Sequence, residues 1–159
     1  MTSKDITLNL IDFLPEDSIQ TDLKSQTKKE VLKELVQTLT SAHGIKNVAG
    51  ILDALLEREE LGSTGIGQGI AIPHGKSDAI GKVVAAMGIS KRGVDFDALD
   101  GEPAYIFFML IAPSNSAGIH LKILAKISRL LKDKFFRQAL REAKTPQEAL
   151  KLIKDENEY

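Results

Sequence analysis

Apolar residues recur along this chain in two rhythms, a helical one toward both ends and a strand-like one in the middle. After a short opening segment (Ile6 to Phe13), Val31, Leu32, Leu35, Val36 and Leu39 repeat at the spacing of one helix face. Thr27-Lys28-Lys29-Glu30, just ahead of them, has the form of a capping box, and Gly44 supplies a stop. A second helix is predicted from Asn47, carrying Ile51, Leu52, Leu55 and Leu56 and ending before Gly62. The rhythm then changes. Ile70 to Ile72 reads as a short strand inside a glycine-rich loop. Val83 to Ser90 reads as a longer strand between Gly81 and a turn expected at Lys91-Arg92-Gly93.

Ala104 to Ala112 is almost continuously apolar, the pattern of a central strand covered on both faces, and Pro113 closes it. Beyond it, Asn115 or Ser116 is expected to cap a helix through Leu131, with Leu121, Leu124, Ala125, Ser128 and Leu131 on its inner side. Two further helices are predicted, Asp133 to Glu142 and Gln147 to Asp155. The last opens with Thr145-Pro146-Gln147-Glu148, a capping box with Pro at the first helical position. Helices on either side of a block of strands imply an α/β fold with a mixed sheet between two helical layers.

Composition narrows the class without naming a function. The 159 residues are expected to form one domain, 1–159, long enough to bury a core without staples. A formal net charge of -1 gives no reason to expect nucleic acid or a membrane surface as partner. With no Trp and only two Tyr, stacking platforms for single strands are not expected either. There is no cysteine, which excludes disulfides, thiolate metal sites and cysteine nucleophiles and fits a reducing compartment. The start lacks a basic segment followed by an apolar run, and no stretch approaches the roughly 18 apolar residues of a membrane span. A cytoplasmic protein without membrane insertion is the expectation.

The chemistry concentrates in Gly62-Ser63-Thr64-Gly65-Ile66-Gly67-Gln68-Gly69-Ile70-Ala71-Ile72-Pro73-His74-Gly75-Lys76. So many glycines serve tight bending or close approach. Two nucleotide readings fail on spacing. Gly65-Ile66-Gly67-Gln68-Gly69 brings the third glycine of a dinucleotide fingerprint one residue early and leads into a strand, not a helix. Gly69 to Gly75-Lys76-Ser77 has one residue too many for a phosphate-binding P-loop, and Pro73 removes a backbone donor.

His74 is the candidate nucleophile. With an ordinary pKa near ~6.5 its imidazole is largely neutral, and the free ring nitrogen can take up and pass on a phosphoryl group. The residues alone leave open that it only hydrogen-bonds its own loop. His120 falls at the start of the Ser116 to Leu131 helix, where unpaired amides and the helix dipole favour an anion; a partly exposed first-turn histidine is the alternative. Arg58, a few residues before the loop, could aim a guanidinium at a phosphate, or belong with Glu57, Glu59 and Glu60 to a solvated helix end. Lys76 and Lys122 are weaker candidates of the same kind. A metal site from His43, His74 and His120 matches no ligand spacing, and no cofactor is expected.

Ser63-Thr64-Gly65-Ile66-Gly67 followed by Ile70-Ala71-Ile72-Pro73-His74-Gly75 closely resembles the fructose/mannitol-type enzyme IIA domains of the bacterial phosphoenolpyruvate-dependent sugar phosphotransferase system, which include the nitrogen-regulatory IIA proteins. Leu56-Glu57-Arg58-Glu59, Asp95 to Gly101, and His120-Leu121 with Lys122-Ile123-Leu124-Ala125 extend the resemblance over nearly the whole chain. It implies a three-layer α/β/α sandwich, with His74 phosphorylated on Nε2 by an HPr-type carrier and the group passed to a cysteine of a IIB component. It also implies that His120 is the second active-site histidine and Arg58 the arginine beside it. For a regulatory member, the phosphorylation state would instead control binding to target proteins. Many sugar-transport members have an acid just before the second histidine; here Gly118-Ile119 stand there.

Overall fold

One strand organises the middle of the molecule. A computed structural model describes residues 9–157. Within them β6 (Ala104–Ala112) lies between β5 (Val84–Val94), antiparallel to it, and two short parallel strands on its other edge. These are β3 (Ile70–Ala71), opposite Ile106 and Phe107, and β4 (His74–Lys76), opposite Leu110 to Ala112. The six-stranded mixed sheet is completed by β1 (Ile19–Gln20), parallel to β5, and β2 (Gly65–Gly67), antiparallel to β3. Ala104 to Ala112 is thus the central strand that its apolar run predicts.

Alternation along β5 and β6 builds a core on each face of the sheet. Ala85, Met87, Ile89, Ile106, Phe108 and Leu110 face α3 (Ala117–Leu130), α4 (Lys134–Glu142) and α5 (Pro146–Asn157). Ala86, Phe107, Met109 and Ile111 face α1 (Lys28–His43) and α2 (Val48–Glu60). The result is the expected mixed sheet between two helical layers.

Local signals placed most helix ends. Thr27 accepts from the Glu30 amide at 3.2 Å, and Gly44, in the left-handed region at φ 67°, ends α1. Asn47 caps α2 and Asp133 caps α4; Thr145 accepts from Glu148 at 3.1 Å with Pro146 opening α5. Thr27→Ala is expected to cost about 1 kcal/mol in urea unfolding. An unchanged midpoint would mean that water replaces the cap without loss.

Three expectations need correction. Lys91-Arg92-Gly93 is not a turn: β5 runs through it to Val94, with its register against β6 shifting between Ile89 and Val94. Ser116 stands at the α3 N-cap but makes no side-chain cap bond. On α3 the inner face is His120, Ile123, Ile127 and Leu130; Leu121, Ala125 and Ser128 are exposed, and Leu124 is half-buried. Two apolar stripes with helical spacing share this helix, and the one rich in β-branched residues faces the sheet. The short opening segment holds a 3-10 turn at Leu10–Asp12, and its residues Ile6 to Leu8 lie outside the described residues.

Candidate functional site

The glycines of the loop are spent on a hairpin. Between β2 and β3, Gly67, Gln68 and Gly69 all take positive φ (95°, 58° and 80°), which turns the chain back within three residues. The returning strand breaks at Ile72-Pro73 and resumes as β4, so His74 opens a strand and does not end one. Pro73 gives up no needed donor here, and its carbonyl accepts from the Leu110 amide at 3.0 Å. Gly75 answers a close approach: a Cβ there would stand 3.3 Å from the Ala54 carbonyl oxygen, so α2 lies directly against β4.

This backbone fixes the state of the His74 ring. Its Nδ1 lies 2.8 Å from the Ile72 carbonyl oxygen. A carbonyl only accepts, so Nδ1 carries the proton and Nε2 keeps the lone pair. Burial holds the His74 pKa below its ordinary value; the Arg58 cation adds to this, while the Ile72 bond and the Glu59 charge oppose it. The imidazole is neutral at cellular pH.

His120 stands beside it, ring centroids 5.5 Å apart and the planes at 82°. It is 4% exposed, so the partly exposed first-turn histidine does not describe it. Burial, then the proximity of His74 and Lys76, pushes its pKa down to about 4. Its Nε2 is buried without a hydrogen-bond partner among the described residues, a costly state that calls for a donor or acceptor. Arg58 comes from the last turn of α2, its Nη1 donating to the Gly62 carbonyl at 2.9 Å. His74, His120, Arg58 and Lys76 line one open groove of about 520 Å³, rimmed by the apolar Leu61, Leu121 and Leu124. Leu61 is 84% exposed and Leu121 68%.

The structure does not bring His43 into this group. It lies at the end of α1, its Nε2 3.1 Å from the Ala85 carbonyl oxygen. Lys122 is exposed and does not line the groove. Glu59 and Thr64 are close neighbours of the site that the charged-helix-end reading passes over. Ile51, Leu55 and Glu59 follow one another at four-residue steps, a spacing that puts Glu59 on the buried face.

An open mixed sheet between two helical layers is the enzyme IIA fold. The crystal structure of nitrogen regulatory protein IIA-Ntr from Neisseria meningitidis matches it with a TM-score of 0.83 at 32% identity, over 89% of this chain and 97% of that one. The chain belongs to the phosphoenolpyruvate-dependent sugar phosphotransferase system EIIA 2 family, whose model matches residues 12–156. It is 36% identical to the nitrogen regulatory protein of Bradyrhizobium diazoefficiens over 87% of this chain and 90% of that protein. To the fructose-specific EIIA component of Haloferax volcanii it is 38% identical, over 84% of this chain and 86% of that one. Among the described residues no helix is long and apolar enough to cross a membrane.

Proposed function

We propose that this chain is a cytoplasmic phosphocarrier that accepts a phosphoryl group on His74 Nε2 and passes it to a partner protein. The observation that carries the reading is the bond from His74 Nδ1 to the Ile72 carbonyl, which leaves Nε2 as the nucleophilic nitrogen in an open groove. Transfer breaks the P–N bond of a donor phosphohistidine on an HPr-type carrier and forms a P–N bond at Nε2. In the next step that bond breaks and a P–S bond forms on the cysteine of a IIB component. Such transfers need positioning and charge stabilisation more than covalent help. The unpartnered nitrogen of His120 and the cations Arg58 and Lys76 are the groups that would meet the phosphoryl oxygens. The exposed leucines give partners an apolar rim suited to a brief contact of modest area.

A regulatory role is the second reading, favoured by the relatives named as nitrogen regulatory proteins that align along most of the chain. There the added charge of roughly -1.5 to -2 on His74 would switch affinity for a target protein. One experiment tests both. The protein is phosphorylated from phosphoenolpyruvate through enzyme I and an HPr-type carrier, then chased with fructose- and mannitol-type IIB proteins. Stoichiometric acid-labile phosphate that moves to a IIB supports the transport role; phosphate that is taken up but not passed to IIB supports the regulatory one. No uptake overturns both.

A further inference from the structure

A buried carboxylate stands behind the site without touching the transfer chemistry. The Glu59 side chain is 6% exposed, and both of its oxygens are occupied. Oε1 takes the Lys28 ammonium at 2.8 Å and the Thr64 amide at 3.2 Å; Oε2 takes the Thr64 hydroxyl. Lys28 in turn lies 3.5 Å from Asp97 and over the Phe96 ring. A buried ion pair is a poor device for stability, because desolvation cancels much of its attraction, but it fixes geometry well.

What it fixes leads to the reactive ring. Thr64 is 4% exposed, and its carbonyl accepts from the Ile72 amide at 2.9 Å. The other side of Ile72 is its own carbonyl, the acceptor for His74 Nδ1–H at 2.8 Å. The peptide after it is held by Pro73 and by the Leu110 amide on the Pro73 carbonyl. Lys28, Glu59, Thr64, Ile72 and His74 therefore form one unbroken series of polar contacts, running from the start of α1 to the imidazole.

We propose that Glu59 is a positioning residue: through Thr64 it orients the Ile72 carbonyl, and so selects the His74 tautomer whose Nε2 is free. This rests on the reading of Nε2 as the phosphoryl acceptor. Without the tie, Thr64 is released from α2, and the Ile72 carbonyl keeps only its downstream anchor at Pro73 and β4. A misplaced nucleophile slows transfer even when the chemistry is untouched.

The test uses the full chain with ¹⁵N-labelled histidine, comparing wild type with Glu59→Gln, Thr64→Val and Thr64→Ser. Ring ¹⁵N shifts report the His74 tautomer, and quench-flow with the phosphorylated carrier reports the transfer rate. Wild type is expected to hold one tautomer, protonated on Nδ1. Glu59→Gln and Thr64→Val are expected to mix tautomers and transfer about 10- to 100-fold more slowly, with Thr64→Ser close to wild type. Variants that melt lower but keep the wild-type tautomer and rate would reduce the tie to a structural brace and overturn the proposal. So would a shifted tautomer at an unchanged rate. Should Glu59→Gln fail to fold, the two Thr64 variants decide the matter. If wild type takes up no phosphate, the transfer reading fails, while the tautomer still decides whether Glu59 orients the ring.

Discussion

His74→Ala is expected to take up no acid-labile phosphate under conditions where the wild-type protein is labelled stoichiometrically. The expected effect is complete because the other two histidines offer no equivalent nitrogen. His120 is buried, and His43 lies at the far end of α1 against the Ala85 carbonyl. The variant should stay folded: β4 is held to β6 through backbone pairing at His74, Gly75 and Lys76, which alanine preserves. Acid-quenched gels with labelled phosphoenolpyruvate, enzyme I and an HPr-type carrier make the comparison, with circular dichroism as the check on folding. A labelled His74→Ala chain would move the acceptor elsewhere and sink the assignment.

Acidification should remove about 3 kcal/mol of stability through His120 alone. Unfolded, this ring takes a proton near its ordinary 6.5; folded, it resists until about 4. Between those values the unfolded chain binds the extra proton. The contribution is therefore complete above about pH 6.5 and is lost as pH falls through about 4, at roughly 1.36 kcal/mol per unit. His74 and His43, both lowered by burial, push in the same direction. The carboxyls of Asp22, Asp78 and Asp100, held below the ordinary carboxylate range by hydrogen bonds and, at Asp22, the Lys24 cation, act below this window. Urea unfolding at pH 7.5, 6, 5 and 4.5 gives the slope, and His120→Gln should lose most of it. A flat wild-type profile, or an undiminished slope in His120→Gln, would contradict the account. A phosphoryl group on His74 reverses the electrostatics, since negative charge beside His120 favours its protonated form.

These two effects differ in how far the sequence announced them. The sharp corner that carries His74 was legible because Pro73, Gly75 and the preceding glycines are local signals, and local signals also gave the capping boxes at Thr27 and Thr145 and the helix start at Asn47. Chain-wide apolarity gave Ala104 to Ala112 its central place. The burial of His120 was not legible. Leu121 and Ile123 each begin an apolar stripe of helical period, and only the shape of the sheet surface decides which one turns inward. The pairing of His74 with Leu110 was hidden for a similar reason: a three-residue strand has too little pattern to read and exists because β6 offers an edge. Glu59 looked like one charge among several, since solvation and burial differ there only through Lys28 and Thr64, which come from other segments.

The seating of β4 on β6 also divides what can drift from what cannot. The His74 ring is seated by main-chain pairing with Leu110 to Ala112, deep in the sheet. The surface a partner would meet is made by Leu121 and Leu124 on α3 and by Leu61 just past the end of α2, none of which takes part in that pairing. Substitutions on this rim can therefore accumulate without moving the acceptor nitrogen. On the proposed function, partner choice becomes a variable trait on a constant chemistry, and a single scaffold can come to serve a transporter in one lineage and a regulator in another.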